Sequence, residues 1–215
     1  MGDNFRENIM LTIKLFDALI SPILLSLRKW IWGVDCNDQV EKYPAELVQI
    51  KFLKWLLGVN KYCSNNACRA ETGRFPMKIE AQCRNFKFWL TLTKHPKHKL
   101  SQVVYDDIKS RMNKELWNQK IKRLLDQIGM GYLWTKAHEN DIGILNIIKQ
   151  RLKDIELQQW LSDVNNDVRK DANQKNKLRT FRKFKTIENY KCEDYLLQVT
   201  NIRHRITLTK LRLIK

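Results

Sequence analysis

The chain has 215 residues, 43% of them hydrophobic and 29% charged, which excludes a disordered polyelectrolyte and allows one large domain or two small ones. Seven glycines and four prolines are too few for the turns of an all-β sandwich, so composition points to helices. Forty Lys and Arg against 23 Asp and Glu leave a net charge of +17, a field that attracts polyanions, nucleic acid first and an anionic membrane surface next.

From the N-terminus, Ile9, Ile13, Phe16 and Ile20 recur at helical spacing. Ser21-Pro22 fits an N-cap with proline at the first position of a second helix, running to about Ile31 and stopping at Gly33. Lys14, Asp17, Arg28 and Lys29 interrupt this apolar stretch and Pro22 splits it, so two soluble helices are expected and no transmembrane segment. Leu47, Ile50, Leu53 and Leu57 form the next face, ended by Gly58; a short helix is read near Asn65–Glu71, with Gly73 as punctuation. Pro76 opens a helix with Ile79, Cys83, Phe86 and Leu90 inward. Leu100, Val104, Ile108 and Met112 make another, with Ser101 as candidate cap, and Trp117, Ile121, Leu124 and Ile128 a third, closed by Gly129. Gly131-Tyr132-Leu133-Trp134 reads as a turn whose aromatics pack back. Leu145, Ile148, Leu152 and Ile155 mark the longest helix, about Ile142 to Asp163. Residues 164–177 are nearly all polar and read as a loop or hinge. Beyond it come short helical segments around 178–185, 192–200 and 202–212; the alternation in the last also fits a strand.

Five cysteines give neither a C-x-x-C zinc site nor a disulfide framework, so buried free thiols in a reducing compartment are expected. No cationic leader precedes an apolar stretch, and Arg6 stands where myristoylation of Gly2 wants Ser or Thr, so an intracellular location, nucleus or cytoplasm, is expected.

The sharpest chemical feature is Leu178-Arg179-Thr180-Phe181-Arg182-Lys183-Phe184-Lys185, where cations alternate with aromatics. Cations neutralise phosphates and flat rings stack on unpaired bases. On a helix Phe181 and Phe184 would share one face, either as core anchors or as a stacking platform. Residues 201–215 hold Arg203, Arg205, Lys210, Arg212 and Lys215 and no acid. Lys51 and Lys54 flank Trp55, as phosphate contacts or as a solvated helix face. His95 and His98 flank Pro96-Lys97 with no further metal ligand at a suitable spacing, and His138 and His204 fare no better. Asp106-Asp107 on a helix point about 100° apart, a poor two-metal pair. No catalytic triad and no glycine-rich phosphate loop occurs. No catalytic residue, metal site, cofactor or small-molecule substrate is read from the sequence, and the oligomeric state stays open.

Several blocks resemble one protein family. Lys54-Trp55-Leu56-Leu57-Gly58-Val59-Asn60, then Ser64-Asn65-Asn66-Ala67 and Glu71-Thr72-Gly73-Arg74-Phe75-Pro76-Met77, are similar to a segment downstream of the reverse transcriptase in non-LTR (LINE-type) retrotransposon polyproteins. Phe16-Asp17-Ala18-Leu19-Ile20-Ser21-Pro22-Ile23-Leu24-Leu25 with Trp32-Gly33 resembles the family's F-D-x-L-I-x-P-I-L-L-Y-G-x-E-x-W-G. Lys149-Gln150-Arg151-Leu152-Lys153-Asp154-Ile155 with Gln159-Trp160 looks like K-x-R-L-x-D-x-x-x-Q-x-W, and Lys177-Leu178-Arg179-Thr180-Phe181-Arg182-Lys183-Phe184-Lys185 like K-L-R-T-Y-R-x-F-K. Tyr195-Leu196, Asn201 and the run from Arg203 to Arg212 resemble Y-L … N-x-x-H-R-x-A-L-T-R-L-R. The blocks keep family order and span nearly the whole chain. Two departures matter: Ser26-Leu27-Arg28-Lys29-Trp30-Ile31 replaces the family's Tyr-Gly-acid loop, and no Tyr-x-Asp-Asp motif occurs. The resemblance implies the thumb and connecting region of such a polymerase, without its palm and without the Cys/His-rich tail that follows the last block.

The expected fold is all-α, an elongated multi-helix array with a short basic C-terminal helical segment. Its expected parts are thumb-like helices over 1–60, a helical connecting region over 61–163, a polar linker over 164–177 and the basic segment over 178–215. The expected function is non-catalytic binding of an RNA or DNA backbone, with Lys177, Arg179, Arg182, Lys183, Lys185, Arg203, Arg205, Lys210 and Arg212 as contacts. Two other readings stay open: part of an RNA-directed DNA polymerase that needs a palm supplied elsewhere, and a helical remnant or protein-interaction module.

Overall fold

The computed structural model describes residues 4–26, 44–94, 99–110, 117–135, 143–165, 178–185 and 191–213. Among them every regular element is helical, so the fold is all-α. In chain order these are α1 (Asn4–Glu7), α2 (Ile9–Leu15), a π-helical turn (Phe16–Ile20), α3 (Ser21–Ser26), α4 (Pro44–Leu57), α5 (Asn65–Thr72) and α6 (Met77–Thr93). There follow α7 (Leu100–Ser110), α8 (Trp117–Gln127), a 3-10 turn (Gly131–Trp134), α9 (Ile144–Asn165), α10 (Arg179–Phe184), α11 (Asp194–Gln198) and α12 (Ile202–Leu213). The chain divides into two compact units: Met1–Leu24, Glu41–Met77 and Glu156–Lys215 form one, Leu25–Val40 and Lys78–Ile155 the other.

The first unit is discontinuous in sequence. Its core takes Ile9 and Ile13 from α2, Ile50, Leu53, Leu56 and Leu57 from α4, Ala67, Cys68 and Ala70 from α5, Trp160 and Val164 from α9, then Phe181, Leu196 and Leu213. Leu53, Leu56 and Leu57 are each 1% exposed, which stabilises the fold by about 1.5–3 kcal/mol per side chain. The α4 face is the one its sequence spacing predicts, except that Leu47 lies 42% exposed. Glu46 of α4 and Arg69 of α5 meet at 2.9 Å, both buried. Trp160 packs edge-on against Phe181 at 6.3 Å and donates its indole N–H to the Asn66 carbonyl at 3.3 Å.

The Ser21-Pro22 helix start is not found. Ser21 has helical angles, φ −57° and ψ −42°, and its N–H reaches back to the Phe16 carbonyl, so α2, the π turn and α3 run on without a break. Proline lacks an N–H and its ring crowds the carbonyl four residues earlier. The wider π turn just before Pro22 accommodates that ring inside a helix. The resulting run, Ile9–Ser26, is 18 residues long and apolar enough by length and composition to cross a membrane. Part of it faces the protein: Phe16 stacks on Phe52 at 4.2 Å. The expected continuation to Ile31 and Gly33 lies outside the described residues, as do residues 166–177 of the expected linker. Val164, placed in that linker from sequence, is fully buried in the last turn of α9.

In the second unit the α6 face is Ile79, Cys83, Phe86 and Leu90, as its spacing predicts, with Trp89 also buried. The Trp89 indole N–H donates to the Tyr105 hydroxyl at 2.9 Å, and its ring stacks on Trp134 with 6.0 Å between centroids. The aromatic turn therefore does pack back. Ile121 and Leu124 of α8 and Ile148 and Leu152 of α9 complete this core. On α9 the buried face begins at Ile144, while Ile155 lies 41% exposed.

Helix α7 departs from its sequence reading. Tyr105 is its buried residue, and Leu100 and Val104 are 77% and 46% exposed. The partner that Tyr105 finds in Trp89 sets the rotation of the helix, and an apolar spacing alone does not encode that. Ser101 sits inside the first turn; the Lys99 carbonyl accepts from Gln102 and Val103 instead. Met112 lies outside the described residues. The last segment, open between helix and strand in sequence, is helix α12. Asn201 starts it, with its side-chain oxygen accepting from the N–H groups of Arg203 and His204.

Candidate nucleic-acid interface

Helix α12 buries Arg205, Thr209 and Leu213 at intervals of four residues, so it turns that stripe inward. Two cations therefore enter the first unit. Arg205 is 3% exposed and donates to the carbonyls of Val199 and Glu7, each at 3.2 Å, and to that of Arg6. Arg212 donates to Glu71 at 2.9 Å and to Glu193 at 2.6 Å, with its guanidinium over the Tyr195 ring at 5.0 Å. Lys185, just after α10, is also buried: its ammonium donates to Glu193 at 2.8 Å and to the Ala70 carbonyl at 2.6 Å. Charge taken out of water is tolerated only when paired and hydrogen-bonded. Glu71 and Glu193 meet that need for Lys185 and Arg212.

The network leaves its mark on titration. Burial raises the Glu71 carboxyl above its ordinary range, against the pull of Arg212. Burial, then the Glu71 carboxylate, raises the Tyr195 phenol, whose hydroxyl bonds Thr209 at 3.0 Å. Burial lowers Arg205.

Other expected contacts face solvent. Lys183, Arg203 and Lys210 are exposed and form no ion pair among the described residues. Arg203, Thr207 and Lys210 stand at i, i+4 and i+7, one stripe of α12, with the two cations about 10 Å apart along the axis. Arg182 is half-buried and reaches the Asn165 carbonyl at 3.4 Å. Arg179 has its backbone in α10, and Lys177 lies outside the described residues.

Phe181 and Phe184 lie three residues apart on α10 but differ in burial. Phe181 is 1% exposed, whereas Phe184 is 48% exposed with the Arg212 guanidinium 6.0 Å from its ring. Helix α10 is six residues long and ends at extended Lys185. On α4, Lys51 is exposed and Lys54 donates to the Lys61 carbonyl at 2.8 Å. Trp55 is 37% exposed beneath the Arg6 guanidinium.

Asp106 and Asp107 are both exposed, and Asp106 accepts from the Gln102 amide at 3.1 Å. His95, Pro96, Lys97, His98 and His138 lie outside the described residues, among which no three His, Cys, Asp or Glu side chains are grouped for a metal. The second unit holds an apolar cavity of about 410 Å³ lined by Phe88, Leu92, Leu100, Val104, Ile108 and Trp117. Ser101 and Tyr105 complete its lining, and the Tyr105 hydroxyl accepts from the Trp89 indole N–H.

Sequence reasoning also missed the approach of the Cys63 and Cys68 sulfurs, 3.6 Å apart. The five-residue spacing was its signal, since it spans a helix start at Ser64.

No known protein family, curated protein or solved structure matches the chain.

Proposed function

We propose that the chain binds RNA or DNA without catalysing a reaction, through backbone phosphates. We further propose that it derives from the thumb and connecting region of a non-LTR retrotransposon reverse transcriptase polyprotein. The observation that supports binding is the division of cations on α12. Arg205 and Arg212 are held by internal acceptors, while Arg203 and Lys210 stand outward in a segment, 201–215, without an acid. Unbalanced like charges repel, and a polyanion relieves that repulsion while releasing counterions. Lys183 and Phe184, outward at the end of α10, add a cation and a ring for an unpaired base.

The test is fluorescence anisotropy of a labelled single-stranded oligonucleotide across a salt series. Log affinity should fall linearly with log salt. Each phosphate contact contributes about −0.7 to the slope on single strands, so the triple variant K183A/R203A/K210A should flatten it by about 2. Its unfolding midpoint should stay near that of the parent protein, because these side chains are exposed. Affinity that ignores salt, or no binding near physiological salt, would reject the proposal.

A second reading is a piece of an RNA-directed DNA polymerase, active only with a palm supplied elsewhere. The observation favouring it is the outer side of Ile9–Ser26, where Leu11, Leu19 and Ile23 are 53%, 61% and 64% exposed. An apolar side of that size suits a packed neighbour. Template-directed incorporation that needs both this chain and an added palm would establish it.

A further inference from the structure

Cys63 and Cys68 are brought together by the turn between α4 and α5. Asn60 fixes that turn, its carbonyl and side-chain oxygens accepting from the Cys63 N–H at 3.2 and 3.1 Å. Ser64 then starts α5, and its carbonyl accepts from the Cys68 N–H at 3.1 Å. One helical turn thus carries the second thiol back over the first. The Cys68 thiol donates to the Cys63 sulfur across 3.6 Å, and the Cys63 thiol faces the Leu213 carbonyl of α12 at 3.9 Å.

We propose that Cys63 and Cys68 are a redox modification site, closing to an intramolecular disulfide when the protein meets a hydroperoxide. A disulfide needs its sulfurs about 2.05 Å apart, so the pair must close by about 1.5 Å, a movement within reach of side-chain rotation. The two thiols have different roles. Cys63 is 7% exposed and Cys68 is fully buried. The hydrogen bond from Cys68 lowers the Cys63 thiol, helped by the Lys54 ammonium and opposed by burial, while the same bond and burial raise Cys68. Cys63 is accordingly the attacking sulfur and Cys68 the resolving one.

In the first step a Cys63 sulfur lone pair attacks the near peroxide oxygen. The O–O bond breaks, an alcohol or water leaves with the Cys63 proton, and Cys63 becomes a sulfenic acid. In the second step the Cys68 sulfur attacks the Cys63 sulfur. The S–O bond breaks, hydroxide leaves with the Cys68 proton as water, and the S–S bond remains. Sulfur loses two electrons in all and the peroxide gains them. A thiol reductant reverses the change by exchange. Oxidation also removes the S–H that Cys63 presents to α12.

Cys83 and Cys192 serve as internal controls, since burial pushes each up to about 11. Trypsin separates all three sites, because Cys63 and Cys68 fall on residues 62–69, Cys83 on 79–84 and Cys192 on 192–203. The folded protein is treated with hydrogen peroxide, then alkylated with iodoacetamide, digested and weighed. Peptide 62–69 should be lighter by two hydrogens and unalkylated, and dithiothreitol before alkylation should restore two alkylated thiols. The control peptides should stay alkylated throughout. Two alkyl groups on 62–69 after peroxide, or over-oxidised Cys63 beside alkylated Cys68, would overturn the proposal. In the variant Cys68→Ser the sulfenic acid should persist and be trapped by dimedone at Cys63. A trapped species at Cys83 or Cys192 instead would overturn the assigned roles.

Discussion

Glu71 shows how a single buried carboxylate makes the first unit depend on its cations. Its side chain has no exposure and meets the Arg212 Nε at 2.9 Å. Removing Arg212 strands that charge, so R212A should cost about 3–5 kcal/mol, the usual range for breaking a buried pair. The double variant E71Q/R212A should recover part of the loss, which denaturant unfolding of both proteins checks. The raised Glu71 carboxyl carries a sign as well. A group that holds its proton more tightly when folded contributes stability below its unfolded pKa and loses it as pH rises through the folded pKa. The stability difference, parent protein minus E71Q, should therefore grow as pH falls from neutral toward the ordinary Glu range. A difference that shrinks would show that Arg212 outweighs burial. The two phenylalanines of α10 offer a second comparison. F181A should cost about 3–5 kcal/mol, because the ring fills core space beside Trp160. F184A should leave stability within about 0.5 kcal/mol and weaken single-strand binding by about 1–3 kcal/mol. Unfolding midpoints and anisotropy on the same two variants separate core from contact.

At the scale of elements, apolar spacing identified helices whose buried face is simply apolar. Helices α4, α6 and α8 follow Leu53, Phe86 and Ile121, each at most 1% exposed, and α4 and α8 end just before Gly58 and Gly129. The rotation of α7 was not legible, because a hydrogen bond from distant Trp89 to Tyr105 decides it. Nor was the continuous run through Pro22, since the π turn that makes room is a backbone adjustment without a residue signature. Two glycines show how equal sequence signals hide unequal constraints. Gly73 and Gly129 both follow a helix with positive φ, at 65° and 71°. A Cβ on Gly129 would meet nothing within 4 Å, whereas on Gly73 it would lie 2.5 Å from the Cys192 backbone nitrogen. That backbone is held where it is: the next residue, Glu193, donates its N–H to the Glu71 carbonyl at 2.9 Å. G129A should cost about 1–2 kcal/mol for the left-handed conformation alone. G73A should cost distinctly more, because backbone must also move. Equal shifts in urea midpoint would mean that residues 191–193 do not hold this position.

For the molecule as a whole, composition announced an all-helical, basic protein, but chain order did not announce its units. The first unit collects the N-terminal segment, α4, α5 and the C-terminal segment, and such long-range pairing leaves no periodic trace in any one of them. The candidate interface was legible to the same degree. The excess of cations could be counted, whereas their division into internal and outward sets depended on Glu193 and the Val199 carbonyl nearby and on Glu71 and the Arg6 and Glu7 carbonyls far away in sequence. Arg205 makes the consequence concrete. It spans 198 residues of sequence to the Glu7 carbonyl, and the same N-terminal segment places Ile9 and Ile13 in the core. A chain lacking residues 1–24 therefore loses two of the three acceptors around a nearly buried guanidinium, together with the apolar side chains that keep water from it. An uncompensated buried cation draws in solvent or turns outward, and either response loosens α12. Hydrogen exchange should show the amides of Ile206 to Leu213 exchanging orders of magnitude faster in the truncated chain. Because Arg203 and Lys210 ride on the same helix, the truncated chain should also hold single-stranded nucleic acid less tightly at fixed salt. An α12 that exchanges as slowly as in the full chain would show that Arg205 is satisfied without its N-terminal partners.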